Sequence, residues 1–450
     1  MKPAVLPAPG TTRQLVTLAL PIIAVNLGMM LMGAVDTLMI GRVSAAALAS
    51  VALGNVYFFC TAVFGIGVTL VLDPVISQAI GAGDRQGVSR GVQRGIVLAI
   101  LVSLPLMLLL LLAEPAVRLL GQPEELVPGV STYVTILIPG VLPFLLFSVA
   151  RQTLQAMHRV APVVVVIVLA NLANVVLNYW LIFGGLGVQP MGIAGSAWAT
   201  TASRWLMLGA LLVIARRELL PSIRYWSRDV FDLSALGALL RLGLPIGAQL
   251  EIEMATFGAV AMLMGRFGTL EVASHQVALN LASLTFMVPM GVGMSAAVLV
   301  GKAIGAGDQI RARAAARSAL LVGAGFMVCT AVMFTLVPSL LAGLYTSDVA
   351  VVAFAATLLP IAGVFQVFDG LQVVSAGILR GLGDTGVPML INLFGFGVVG
   401  LTASLLLAYR TTLGPVGLWW GLVIGITTVA VTLLARVAVM FRRRLVRVEV

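Results

Sequence analysis

Five carboxylates lie where water is scarce. Asp36, Asp73, Glu251, Glu253 and Asp369 each fall inside a long apolar stretch of the 450-residue chain. A charged group in such surroundings costs several kcal/mol unless it is paired, hydrated or neutralised. The chemistry open to such an acid is capture of a proton, a hard metal cation or an organic cation. Asp36, in MGAVDTLMIG, finds candidate partners in NLANVVLN. There Asn174 and Asn178 are four residues apart and share one helix face, with Asn171 on nearly the same stripe. Glu253 (LPIGAQLEIEMATF) and Asp369 (VFQVFDGLQVV) both belong to the second half of the chain. If they meet, two carboxylates share one site and require a proton or an oxygen-seeking cation such as Na⁺ between them. Glu251 lies about 200° round the helix from Glu253. It cannot line the same face, and is expected nearer the headgroups or hydrogen-bonded elsewhere. Asp73, just before Pro74, reads as an interfacial helix end. Arg204 is basic and inside an apolar stretch, where it either neutralises an acid or snorkels. His275 starts another stretch and is expected to have a surface or loop-packing role.

The elements that position these residues follow from composition. The chain is 60% apolar and 10% charged, with a mean hydropathy of +1.10. An ordinary soluble domain has about 45–50% apolar and about 25% charged residues. So few charges cannot clothe a soluble surface, which excludes a soluble enzyme, a nucleic-acid binder and a disordered protein. Cys60 and Cys329 lie in apolar stretches without metal-site spacing, and two histidines, His158 and His275, are too few for a His-rich centre. No resident cofactor is expected. The start, MKPAVLPAPGTTRQ, does not read as a cleavable signal peptide.

A helix needs about 20 apolar residues to cross a bilayer. Twelve such spans are expected, at 15–40, 49–72, 92–113, 130–150, 161–184, 192–215, 236–264, 273–300, 314–337, 350–372, 386–409 and 413–437. Pro21, Pro105, Pro143, Pro289 and Pro360 fall within them and predict kinked, closely packed helices. The basic residues set the orientation. Of 27 Lys and Arg, only Arg42, Arg118, Arg266 and Arg410 fall on one side, Arg204 lies within a span, and the other 22 share the side of both termini. Both termini are therefore expected to be cytoplasmic, and the net charge of +10 needs no nucleic acid. The run Arg442-Arg443-Arg444 reads as a stop and an anchor at anionic lipid.

The chain repeats itself. MIGRVSAAALASVAL at 39–53 resembles LMGRFGTLEVASHQVAL at 263–279, and QAIGAGD at 78–84 matches KAIGAGD at 302–308. Arg42 and Arg266, like Gly81 and Gly305, are 224 residues apart. The expected fold is thus an all-α polytopic membrane protein, with two six-helix lobes related by an internal parallel repeat. The N-lobe spans 1–222 and the C-lobe 223–450, and 216–241 is a linker along the cytoplasmic surface. Parallel repeats of this kind place substrate at their interface and work by alternating access. The five acids do not repeat: 224 residues after Asp36 stands Val260. GAGD lacks the GxxxxGK[ST] pattern of a phosphate loop and reads as a tight turn between spans. Met29, Met30, Met32, Met287, Met290 and Met294 fall where a cleft accepting several ligands could use them.

LALPIIAVNLGMMLMGAVDTLMIGR, the paired GAGD loops, GLPIGAQLEIE and VFDGLQVVSAGILRGLGDT together resemble the multidrug and toxic compound extrusion family, in its NorM-like bacterial branch. The resemblance covers nearly the whole chain. It implies two lobes around a central cavity in a bacterial inner membrane, and export of lipophilic cationic drugs and dyes by Na⁺ or H⁺ antiport. It places the first-lobe acid at Asp36 with Asn174 and Asn178, and the second-lobe cation site at Glu253 and Asp369. Of the cleft methionines, Met29 and Met290 are expected at the substrate site. Asp73 stands where the family has a small or hydroxyl residue, and Phe365 where an aromatic hydroxyl is common. A monomer suffices, since both lobes lie in one chain. A lipid-linked sugar flippase of the same superfamily is the near alternative, but it would favour a more cationic cavity. A membrane-embedded enzyme would need a nucleophile or metal constellation; there are no paired histidines and HExxH does not occur.

Overall fold

The computed structural model describes residues 9–185, 187–443 and 445–448. Lys2, Arg444 and most of the Pro-rich start lie outside the described residues. Among the described residues, twelve helices are long and apolar enough to cross a membrane. In chain order, spans 1 to 12 are Gly10–Ile40, Ala45–Gly81, Arg85–Leu111, Val127–Ala156, Ala161–Phe183, Gly192–Ile214, Leu233–Met264, Thr269–Gly305, Gln309–Leu336, Val349–Gly381, Gly386–Tyr409 and Pro415–Met440. Each expected span has its counterpart.

The differences are at the ends. Span 2 runs to Gly81 rather than 72, span 4 to Ala156 rather than 150, and span 10 to Gly381 rather than 372. The extra turns carry polar residues, which lowers the hydropathy, but those residues are covered by neighbouring helices. Gln78, Gln152, Gln155 and Thr153 are all at most 1% exposed. Pro21, Pro105, Pro289 and Pro360 lie inside helices, as does Pro245 of span 7. Pro143 instead follows a 3₁₀ turn, Ile138–Gly140, that interrupts span 4.

The GAGD segments are turns with a physical logic. Gly83 and Gly307 both take φ 71°, a left-handed conformation that a side chain disfavours. The Asp that follows then caps the next helix: Asp84 Oδ1 accepts from the Gly87 amide at 2.7 Å, and Asp308 Oδ1 from the Arg311 amide at 2.9 Å.

The chain sorts into two compact units. The first comprises the described residues up to Ile23, Ser77–Gly83 and the chain from Ala248 onward; the second comprises Ala24–Ile76 and Asp84–Gly247. The repeat explains this exchange of segments. In the second unit Gly67 of span 2 packs on Gly247 of span 7, with room for no Cβ: one would lie 2.6 Å from the Gly247 Cα. The equivalent positions, 224 residues away, meet in the first unit, where a Cβ on Gly291 would lie 2.5 Å from Ile23 Cγ1. Also in the first unit, a Cβ on Gly81 would collide with the Lys302 carbonyl, and one on its repeat mate Gly305 with the Gln78 carbonyl. Gln78 and Lys302 are themselves repeat mates, so the two copies of the motif clasp each other reciprocally. Gly305→Ala is expected to lower stability by about 1–3 kcal/mol, because the opposing backbone has no rotamer to yield. Gly325→Ala, which faces open space, is the control. Thermal unfolding in detergent checks both.

The segment after span 6 is fixed to span 3. Gln93 Nε2 donates to the carbonyls of Ser222 and Tyr225, each at 2.8 Å, and Arg94 Nη2 donates to that of Asp229 at 2.8 Å.

Candidate functional site

Two acidic constellations form, one in each compact unit. In the second unit Asp36 is 5% exposed and lies between spans 5 and 6. Asn178 Nδ2 donates to Asp36 Oδ1 at 2.5 Å and also reaches Asn174 Oδ1 at 3.1 Å; Thr200 Oγ1 donates to Asp36 Oδ2 at 2.8 Å. Helix periodicity brings this about. Asn174 and Asn178 share a face of span 5 and are both fully buried. Asn171, one turn earlier, donates to the Gly28 carbonyl at 3.0 Å and so ties span 5 to span 1. Arg204 is half-buried and forms no ion pair among the described residues. Its guanidinium stacks 4.0 Å from the Phe58 ring and 5.2 Å from that of Phe144, and its charge acts on Asp36 and Tyr133. Asp36 is therefore a carboxylate in an amide and hydroxyl cradle, with a guanidinium nearby.

In the first unit Glu253 and Asp369 lie close enough for their charges to act on each other. Gln372, three residues after Asp369, donates from Nε2 to Glu253 Oε2 at 3.5 Å and to Asn392 Oδ1 at 3.2 Å. Asn392 in turn donates to the Pro388 carbonyl at 2.9 Å. Asp369 is 5% exposed, and its Oδ1 has no hydrogen-bond partner among the described residues. Neither acid forms a salt bridge among the described residues. Glu253 is half-buried. A buried carboxylate facing a half-buried one without a basic partner is unstable unless a proton or cation joins them. Phe365 packs edge-on to Phe257 (5.8 Å) and Trp419 (6.2 Å), one turn from Asp369.

Four expectations need correction. Asp73 is not an interfacial helix end. It is 1% exposed, its helix continues eight residues to Gly81, and its charge acts on Arg151 of span 4. Arg151, counted above among the loop arginines, is 5% exposed inside span 4, because that helix runs on to Ala156. His275 is 1% exposed, with its ring 5.6 Å from that of Trp419, rather than at a surface. Glu251 lies midway along span 7, half-buried, away from either helix end. Met29 is half-buried, with its Sδ 3.6 Å from Arg151 Nη1, and Met290 is half-buried in span 8. Thr200, Gln372 and Asn392 were missed by sequence reasoning. Only Gln372 left a signal, its spacing of one turn from Asp369.

Comparison with known proteins places the chain in a family. The MatE family model matches residues 21–180 and 245–406, one match in each half. The probable multidrug resistance protein NorM of Rhizobium meliloti (strain 1021) is 34% identical over 438 residues, covering 95% of this chain and 93% of that protein. The multidrug resistance protein MdtK of Pectobacterium atrosepticum is 34% identical over 449 residues, covering 97% of each. The crystal structure of the eukaryotic MATE transporter AtDTX14 matches with a TM-score of 0.88 at 24% identity, over 96% of this chain and 97% of that one. That likeness establishes the fold. With twelve spans, this is a multi-pass membrane protein and a transporter rather than an enzyme. Two matched halves, an order preserved over nearly the whole length and relatives above the identity at which ancestry is secure lead to one conclusion: the chain belongs to the MatE family.

Proposed function

We propose that this protein exports lipophilic organic cations from the cytoplasm by cation-coupled antiport across the bacterial inner membrane. Its multidrug-resistance relatives support the efflux itself. The observation that carries the coupling is the Glu253–Asp369 pair, a half-buried and a buried carboxylate without a salt-bridge partner among the described residues. In this reading the halves 1–222 and 223–450 alternate access as two lobes, with both termini cytoplasmic and one chain sufficient. Na⁺ or H⁺ enters from outside and joins the acids. Filling them weakens the attraction for a cationic drug, which leaves. The ion is released inward and the next drug is captured. Asp36, held by Asn178 and Thr200 beside Asn174, is the second-unit cation or proton acceptor. Met29 and Met290 supply adaptable apolar contact. Ion and drug need only favour different states for the exchange to be obligatory.

The test is efflux of a fluorescent organic cation from cells, with Na⁺ and pH gradients imposed separately. Efflux that follows Na⁺ at fixed pH assigns Glu253 and Asp369 to a metal-ion site, and efflux that follows pH alone makes them proton carriers. Efflux indifferent to both gradients overturns the coupling.

A further inference from the structure

Arg151 has no part in the antiport just described, yet it is a guanidinium almost wholly shielded by protein, at 5% exposure. What surrounds it is specific. Its Nη1 approaches Asn26 Oδ1 at 3.5 Å and Met29 Sδ at 3.6 Å, both on span 1. Its counter-charge is Asp73 of span 2, 1% exposed. Arg151 also belongs to a polar stripe on span 4. Ser148, Arg151, Gln152 and Gln155 follow helical spacing and are all buried. Gln152 Nε2 donates to Ser148 Oγ at 3.0 Å and to Thr69 Oγ1 of span 2 at 3.2 Å, one turn before Asp73. Spans 2 and 4 thus meet through polar groups, and the cationic member of that seam turns to span 1.

Span 1 also carries Asp36. Met29 and Asp36 are seven residues apart, two turns, and therefore lie on the same face of one helix. Pro21 interrupts the hydrogen-bond ladder of span 1, so the turns after it depend on neighbours to hold their rotation. Two side chains grip that stretch, Arg151 at Asn26 and Met29 and Asn171 at the Gly28 carbonyl. A rotation of one residue step, about 100°, would carry Asp36 away from Asn178 and Thr200.

We propose that Arg151, with Asp73 as its buried counter-charge, is a positioning residue that sets the rotation of span 1 and so places Asp36 against Asn178 and Thr200. The proposal rests on the reading of Asp36 as an ion or proton acceptor and adds a device for holding it. Arg151 does not touch the transported cation; it acts through span 1. Asp73 is there because the guanidinium cannot be buried uncompensated.

The measurement is binding of a fluorescent organic cation to purified full-length protein in detergent, across a series of Na⁺ concentrations and pH values, with thermal unfolding of the same samples. Removing one charge strands the other, so Arg151→Gln or Asp73→Asn alone is expected to lose stability. The informative variant is Asp73→Asn/Arg151→Gln, in which both charges go together and the thermal midpoint returns to within a few degrees of wild type. In that stable variant, drug affinity is expected to fall about tenfold or more, and its response to Na⁺ or pH to flatten. Wild-type affinity and ion response in the double variant, with only the single variants destabilised, would show the pair to be purely structural and overturn the proposal. Wild-type protein whose drug affinity ignores both ions would instead remove the coupling reading on which the proposal rests, and that result is read before any variant is made.

Discussion

Asp36→Asn is expected to abolish drug efflux while leaving the protein folded. The substitution is nearly isosteric, and the cradle accepts it. The new amide oxygen still receives the bond from Asn178 Nδ2, and the new NH₂ turns to Thr200, whose hydroxyl rotates to accept. The loss in stability should stay near 1 kcal/mol, the scale of one exchanged hydrogen bond. Function has no such substitute, because a neutral amide neither takes up a proton nor attracts a cation. Losing a charged partner in a buried site costs about 2–5 kcal/mol of binding. That is roughly thirtyfold to a few thousandfold in affinity, which puts efflux close to the level of cells lacking the protein. Drug accumulation in cells, together with the thermal midpoint of the purified variant, checks both halves. An Asp36→Asn protein that exports normally removes Asp36 from the account.

Glu253→Gln is expected to break the ion response and to stabilise the resting protein at the same time. The two carboxylates repel when no ion joins them. Replacing one with an amide relieves that repulsion, so the thermal midpoint in Na⁺-free buffer at high pH should rise. Affinity for the coupling ion should fall tenfold or more, and efflux should stop following the ion gradient. Asp369→Asn should do the same. The double variant should be little worse than either single one, because the two acids act as a unit and their effects do not add. Additive losses from two independently acting acids would contradict a shared site. Stability gained at the expense of activity is the usual mark of a strained functional group.

Much of this was legible in the sequence because a membrane makes it so. A charge inside a span is expensive, so Asp36, Glu253 and Asp369 announced themselves by position alone. The span-5 amides were legible from a spacing of four residues. The repeat was legible from paired GAGD loops, and in the structure its two copies meet, Gly81 against Lys302 and Gly305 against Gln78. Depth near a span end was not legible. Hydropathy falls wherever polar residues gather, and it cannot tell a helix entering water from one whose polar face is covered by another helix. That is why Asp73 and Arg151 read as interfacial from sequence and lie buried in the structure. Thr200 was invisible for a different reason. A threonine among small residues in a span carries no cost that singles it out, and only the fold brings it to Asp36.

The central claim is obligatory exchange of a drug for a cation through the two acidic sites. It is tested most directly in proteoliposomes holding purified protein, with no ion gradient at the start and a drug gradient as the only driving force. The account predicts that drug moving one way drives Na⁺ or H⁺ the other way, read by an ion-sensitive dye, and that Glu253→Gln silences the ion signal. Drug movement with no opposing ion flux, or ion flux in the same direction as the drug, would contradict it.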